Sequence, residues 1–177
     1  PDIIEESDEI ILDSLDSSQA FNEFPITQYN WLGQSITPEN LPDDALEWNV
    51  SRVLFQARQH SSNTGVTEIQ LRTATRSGYP TSTVLESLYL FEAYLDSDYN
   101  WVEAPYSSVQ GLSPSDKLCL VLVWQYGNES AGIRYSSSHG QGLLVSYTKG
   151  SSWGYGNSSS LTYYVFGTYT YGVPQPP

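Results

Sequence analysis

KLCLVLVWQY, residues 117–126, decides how the rest of the chain is read. Leu118, Cys119, Leu120, Val121, Leu122, Val123 and Trp124 form an unbroken apolar run. At this length, without alternation, it predicts a central strand covered on both faces. The neighbouring segments read as strands too. Along 66–74, Ile69 and Leu71 fall on one face and Glu68, Gln70 and Arg72 on the other, the period-two pattern of a half-buried strand. Along 48–59, Val50, Arg52, Leu54, Gln56 and Arg58 alternate against Val53, Phe55 and Ala57. Further strands are expected over 99–103, 131–136, 142–148 and 161–171. Residues 83–95 suit a short helix or a strand, and the β surroundings favour the strand. Turns fall at Ser77-Gly78-Tyr79-Pro80, Ser137 to Gly140 and Lys149 to Gly156, and Ser61-Ser62-Asn63-Thr64-Gly65 reads as a loop. Seven to nine short strands at this spacing predict an all-β fold, an antiparallel, jelly-roll-like β-sandwich with an N-terminal extension.

Composition agrees. The 177 residues include 14 Tyr, and only 15% are charged, below the usual quarter. Tyrosine, serine and threonine suit strands and also binding surfaces built from rings and small polar groups. The net charge is −13. Nucleic acid is excluded as a partner, because phosphate binding needs clustered Lys and Arg and the seven basic residues are scattered. A membrane is expected only through an anchor outside this chain. The lone Cys119 reads as a small buried hydrophobe.

The chain divides into an acidic N-terminal arm (1–25), a sandwich domain (26–173) and a Pro-rich end (174–177). Eight of the 20 acidic residues lie in the arm, with no basic one. Subtracting, 12 acidic and 7 basic residues remain, a net of −5 for residues 26–177. Yet Ile3, Ile4, Ile10, Ile11, Leu12 and Leu15 punctuate the arm, at spacings that fit one helix stripe or two short strands. The arm is either a solvated leader or a segment that docks on a sheet edge, its own or a neighbour's.

Enzyme signals are missing. His60 and His139 sit in Ser/Gly-rich loops, and no metalloprotease, nucleophile-elbow, phosphate-loop or CxxC motif is present. No cofactor is expected beyond calcium, for which Asp43, Asp44 and Glu47, with Asp96 and Asp98, supply oxygen ligands in loops. Asp44 equally suits a cap on a short turn. For ligand binding the loop aromatics Trp31, Trp101, Trp153 and Tyr155 stand out, since exposed rings stack on sugars and anchor protein interfaces.

Five pieces carry a family likeness: Gln34-Ser35-Ile36-Thr37-Pro38, Tyr79-Pro80-Thr81-Ser82-Thr83-Val84-Leu85, Gly111-Leu112-Ser113-Pro114 ahead of the core strand, Gly150-Ser151-Ser152-Trp153, and Tyr163-Tyr164-Val165-Phe166-Gly167-Thr168. Over residues 31–168 the chain resembles prokaryotic surface β-sandwich modules of exported proteins, including heads of pilin-like proteins and filament subunits. The resemblance implies a non-enzymatic packing or binding domain at the cell surface, with no active site to carry over. It departs at the N-terminus, where a pilin has a long hydrophobic helix. The expected role is a surface-assembly domain that self-associates or meets other surface proteins through β-edges and the arm. The alternative is a carbohydrate-binding module.

Overall fold

A computed structural model describes residues 1–16, 19–60 and 63–177; Ser61 and Ser62 of the expected loop therefore lie outside the described residues. The strands are β1 Ile3–Glu6, β2 Ile10–Leu15, β3 Phe21–Thr27, β4 Trp31–Ile36, β5 Glu47–Arg58, β6 Val66–Ala74, β7 Pro80–Phe91, β8 Asn100–Pro105, β9 Leu118–Tyr126, β10 Glu129–Ser136, β11 Leu143–Ser146, β12 Gly154–Tyr155, β13 Ser160–Leu161 and β14 Tyr163–Val173. A single 3-10 turn, Glu92–Tyr94, is the only helical element among the described residues. No helix among them is long and apolar enough to cross a membrane.

The strands form two antiparallel sheets. In one, β3 pairs β10, β10 pairs β5 and β5 pairs β8; in the other, β4, β9, β6 and β7 lie side by side. From β3 to β10 the chain passes between the sheets at every step but one, β6 to β7. That is the eight-stranded jelly roll, the fold class expected. The remaining strands extend it. β14 pairs the first part of β5, β1 and β2 pair β14, β13 pairs the end of β10, and β11 and β12 continue the second sheet beyond β4.

β9 is central, as its sequence requires. Leu118, Leu120 and Leu122 point between the sheets, where they join Val53, Phe55, Ile69, Leu71 and Ile133 in the main core. Cys119, Val121 and Val123 point the other way, into a second apolar cluster with Leu144, covered by Trp31, Tyr79 and Trp153. Burial there pushes the Cys119 thiol up to about 12, as expected of an inert apolar filler.

Of the two readings of residues 1–25, the structure shows the segment docked on the sandwich's own sheet edge, while two details need correction. β1 and β2 are its edge, zipped to β14 from Ile3 opposite Val173 to Leu15 opposite Tyr163, and the boundary at residue 25 falls inside β3. Unpaired β14 backbone would be left in an edge, and the N-terminal segment satisfies it. The alternation read for 48–59 also fails at one point. Val50 faces the core with Trp48, Val53, Phe55 and Ala57, not outward with Arg52. The register slips between Phe166 opposite Arg52 and Gly167 opposite Val50, so Ser51 is a bulge residue that flips the phase. Over 83–95 the strand reading holds for β7 through Phe91.

At the bulge the backbones of β5 and β14 touch closely. A Cβ added to Gly167 would lie 1.9 Å from the Asn49 carbonyl oxygen and 2.6 Å from Leu12 Cδ1. Gly167→Ala should therefore destabilise the fold by about 3 kcal/mol, at the upper end of overpacking costs. Urea denaturation checks this; a change within 0.5 kcal/mol, the ordinary surface range, would show that β14 does not depend on this contact.

Candidate functional site

A concavity of 930 Å³ opens at one end of the sandwich, where the rims of both sheets meet. Its deepest charged group comes from the N-terminal edge. In β2 the register slips between Asp13 opposite Val165 and Ile11 opposite Phe166. Leu12 is the extra residue, and the bulge turns two consecutive side chains inward: Leu12 is fully buried and Asp13 is 7% exposed. Asp13 Oδ2 accepts hydrogen bonds from Tyr163 Oη at 2.8 Å and the Thr37 backbone N–H at 3.2 Å. Burial nevertheless dominates and pushes the Asp13 carboxyl up to about 6, with the Glu39 charge adding to the rise against the hydrogen bonds from Tyr163 and the Thr37 and Ser14 backbone. The same environment raises the Tyr163 phenol, mainly by burial, then by the Asp13 charge.

The rest of the rim is held by Gln34, a buried amide on β4. Its Oε1 accepts the Leu161 N–H at 2.9 Å, and its Nε2 donates to the Gln141 carbonyl at 3.1 Å. One side chain thus ties β13 and the 140–142 turn to β4. Gly142 sits at φ +91°, and a Cβ there would meet Gln34 Nε2 at 2.7 Å, so the turn requires glycine. Across the mouth Tyr155 is 44% exposed; its hydroxyl donates to the Ser77 carbonyl and its ring lies 4.6 Å from that of Tyr79. Lys117 and Glu39 add one charge of each sign to the lining.

A second polar cluster lies where β3, β5 and β10 meet. His60 Nδ1 is 2.6 Å from Glu23 Oε1, and His60 Nε2 is 2.6 Å from Glu129 Oε2. Arg58 and Tyr99 also donate to Glu23, and the Glu23 carboxyl stays below its usual range because these bonds outweigh its burial. The cluster clamps the start of the first sheet to β5.

The other expected site residues are dispersed. Trp101 lies on the outer face of the first sheet, 42% exposed, 5.4 Å from Tyr164, which stacks on Phe166 at 6.0 Å. The Arg52 guanidinium covers Phe166 at 3.9 Å and bridges Glu9 and Glu103 at 2.9 Å each. Trp31 and Trp153 are half-buried lids on the second apolar cluster, not free rings. Tyr155 alone of the four reaches the cleft. Asp43 and Asp44 precede β5, Glu47 begins it, and Asp96 and Asp98 follow the 3-10 turn, where Asp96 accepts from Asn100 Nδ2 at 2.7 Å. Among the described residues no three His, Cys, Asp or Glu side chains gather to hold a metal ion, so the calcium expectation finds no such group of ligands there. Within the expected assembly arm Leu12 is buried, Ile10 and Leu15 pack on the core, and Ile3, Ile4 and Ile11 remain exposed. Sequence reading passed over Asp13 and Gln34. The only available signal was a carboxylate directly after an apolar triplet.

No protein-family model matches the chain, and no curated protein matches it. Among solved structures, that of Desmodium yellow mottle tymovirus aligns over 99% of this chain and 91% of that one, at 8% identity and a TM-score of 0.27. A likeness that slight carries neither fold nor function across.

Asp13 supplies a test of the cleft's electrostatics. Its folded carboxyl ionises near pH 6 and the ordinary one near 3.8, so the folded chain holds the extra proton between them. Stability contributed by this group therefore falls as pH rises through that window, by roughly 3 kcal/mol. In Asp13→Asn one amide oxygen can accept both hydrogen bonds without the charge. The variant should gain on the wild type by up to about 3 kcal/mol between pH 4 and pH 7. Denaturation at both pH values checks it, and a difference constant with pH would refute the buried-charge account.

Proposed function

We propose that this chain is a non-enzymatic, extracellular structural domain, a subunit or head of a cell-surface filament or layer, that associates through its sheet edges. The observation that carries the reading is the state of β7. This strand ends the second sheet, with no strand beyond it among the described residues. From Glu86 to Phe91 it runs in regular register against β6, from Leu71 to Val66. Edges left open in this way are normally guarded by lysines, inward charges or prolines. Here Pro80 blocks only the first residue. The single charge in twelve residues, Glu86, is engaged with the Ser107 and Ser108 N–H groups at 2.9 and 2.7 Å.

The side chains around that edge suit a partner. Tyr89 is 61% exposed and Tyr94 85%, with Phe91 6.1 Å edge-on to Tyr94. Rings of this kind are the usual anchors of interfaces. Main-chain pairing would supply affinity and the rings specificity. The N-terminal edge of the first sheet behaves differently. β1 carries Glu5 and Glu6, bonded to Tyr171 and Thr168 of β14, beside the exposed Ile3 and Ile4. That acidic rim disfavours pairing with itself and favours a partner with basic groups. The resemblance of the sequence to packing or binding modules of prokaryotic surface proteins agrees with this reading.

The expected outcome is association that depends on concentration and on β7. In sedimentation velocity, Ser87→Lys with Tyr89→Lys should shift self-association at least tenfold toward the monomer, with thermal stability unchanged. A wild-type chain that stays monomeric to millimolar concentration, or a double variant that associates equally well, would sink the reading.

A further inference from the structure

We infer that the end cleft is a sugar-binding site, taking a neutral saccharide of one to three rings. The inference is independent of the assembly reading, since none of the β7 residues that carry that reading lines the cleft.

Size comes first. At 930 Å³ the cleft sits within the span of small-ligand sites, roughly 300–1,000 Å³. Its walls then select among ligands. A phosphorylated or carboxylated ligand would meet Asp13 and Glu39 against a single ammonium, Lys117, which already donates to the Arg76 carbonyl at 3.3 Å. An acyl chain or aromatic drug-like body would have to desolvate hydroxyls and amides from Ser14, Ser35, Thr37, Gln141, Asn157 and Ser158 without repaying them. A saccharide matches both parts of the surface. Its hydroxyls exchange hydrogen bonds with those groups and donate to the two carboxylates, and its C–H face lies on a ring. Tyr155 supplies that ring, in the cleft wall, exposed, and braced by Tyr79 and by its hydrogen bond to Ser77.

The site is also preorganised. Gln34 holds β13 and the 140–142 turn, and the Ser35 N–H donates to the Gly142 carbonyl at 2.8 Å. Asp13 is fixed by Tyr163 and Thr37. Little ordering cost is left for a ligand to meet, which is the condition for useful affinity in a small polar site.

The experiment is a glycan array of mono- to hexasaccharides, followed by calorimetry and amide NMR with the strongest binder. The wild type should bind at least one neutral glycan, with shifts at the Gly140, Gly142 and Gly156 amides. Tyr155→Ala should weaken binding at least tenfold and Glu39→Gln, at an exposed position that leaves folding intact, severalfold. Trp101→Ala should leave it unchanged. No binder on the array overturns the inference. So does binding that survives both Tyr155→Ala and Glu39→Gln, or binding lost in Trp101→Ala, which moves the site to the outer face of the first sheet.

Discussion

The side chains of β9 meet two apolar environments, and the rest of the molecule is arranged to supply both. Leu118, Leu120 and Leu122 close the space between the sheets. Cys119, Val121 and Val123 would face water in a plain two-layer sandwich, where one sheet face is normally solvated. They are covered because β11, β12 and the turn between them carry Trp153 across the outside of the second sheet, beside Trp31. Covering one exposed face of three apolar residues thus accounts for the two strands added beyond β4, and Tyr155 of β12 with the segments flanking these strands in turn lines one wall of the end cleft.

Buried polar groups fix the remaining freedom. Gln34, Asp13 and Glu92 lie in or beside the core, and each is used to hold backbone that the sheets leave unpaired. Glu92, fully buried, accepts the His60 and Gly65 N–H groups at 2.8 and 3.0 Å, which sets the path between β5 and β6. Gln34 does the same between β4 and β13, and Asp13 between β2 and β4. An unmade bond at any of these places would cost the desolvation of a buried group. The connections around the jelly roll are therefore specified by side chains as well as by strand pairing. Bulges at Ser51 and Leu12 set the phase of the strands that bear them, and one of them delivers Asp13 to the cleft.

The surface is divided by chemistry. Acidic groups collect on the edge made by the N-terminal strands, where Glu5, Glu6 and Glu9 are bonded to neighbours of the same sheet. Open main chain and exposed rings collect on β7. Hydroxyls and amides collect at the cleft. Low charge and many tyrosines suit a protein that works through contacts, and the three regions offer contacts of three different kinds.

The sequence by itself determined the fold class. The run from Leu118 to Val123 and the alternation of β6 announce buried and half-buried strands, because side-chain period follows directly from strand geometry. It also announced the aromatic and hydroxyl-rich character of the chain and the acidity of the N-terminal segment. Only the tertiary structure decided that this segment is an edge of the first sheet. Its Ile and Leu spacing fits helix or strand equally, and the open side of β14, more than 140 residues away in the chain, settles the choice. The bulges at Ser51 and Leu12 were equally invisible, because an extra residue is defined against a partner strand. So was the cleft, whose walls come from segments near residues 13, 35, 77, 117, 141 and 156. Local pattern sets what each strand is; which strands become neighbours depends on burial summed over the whole chain.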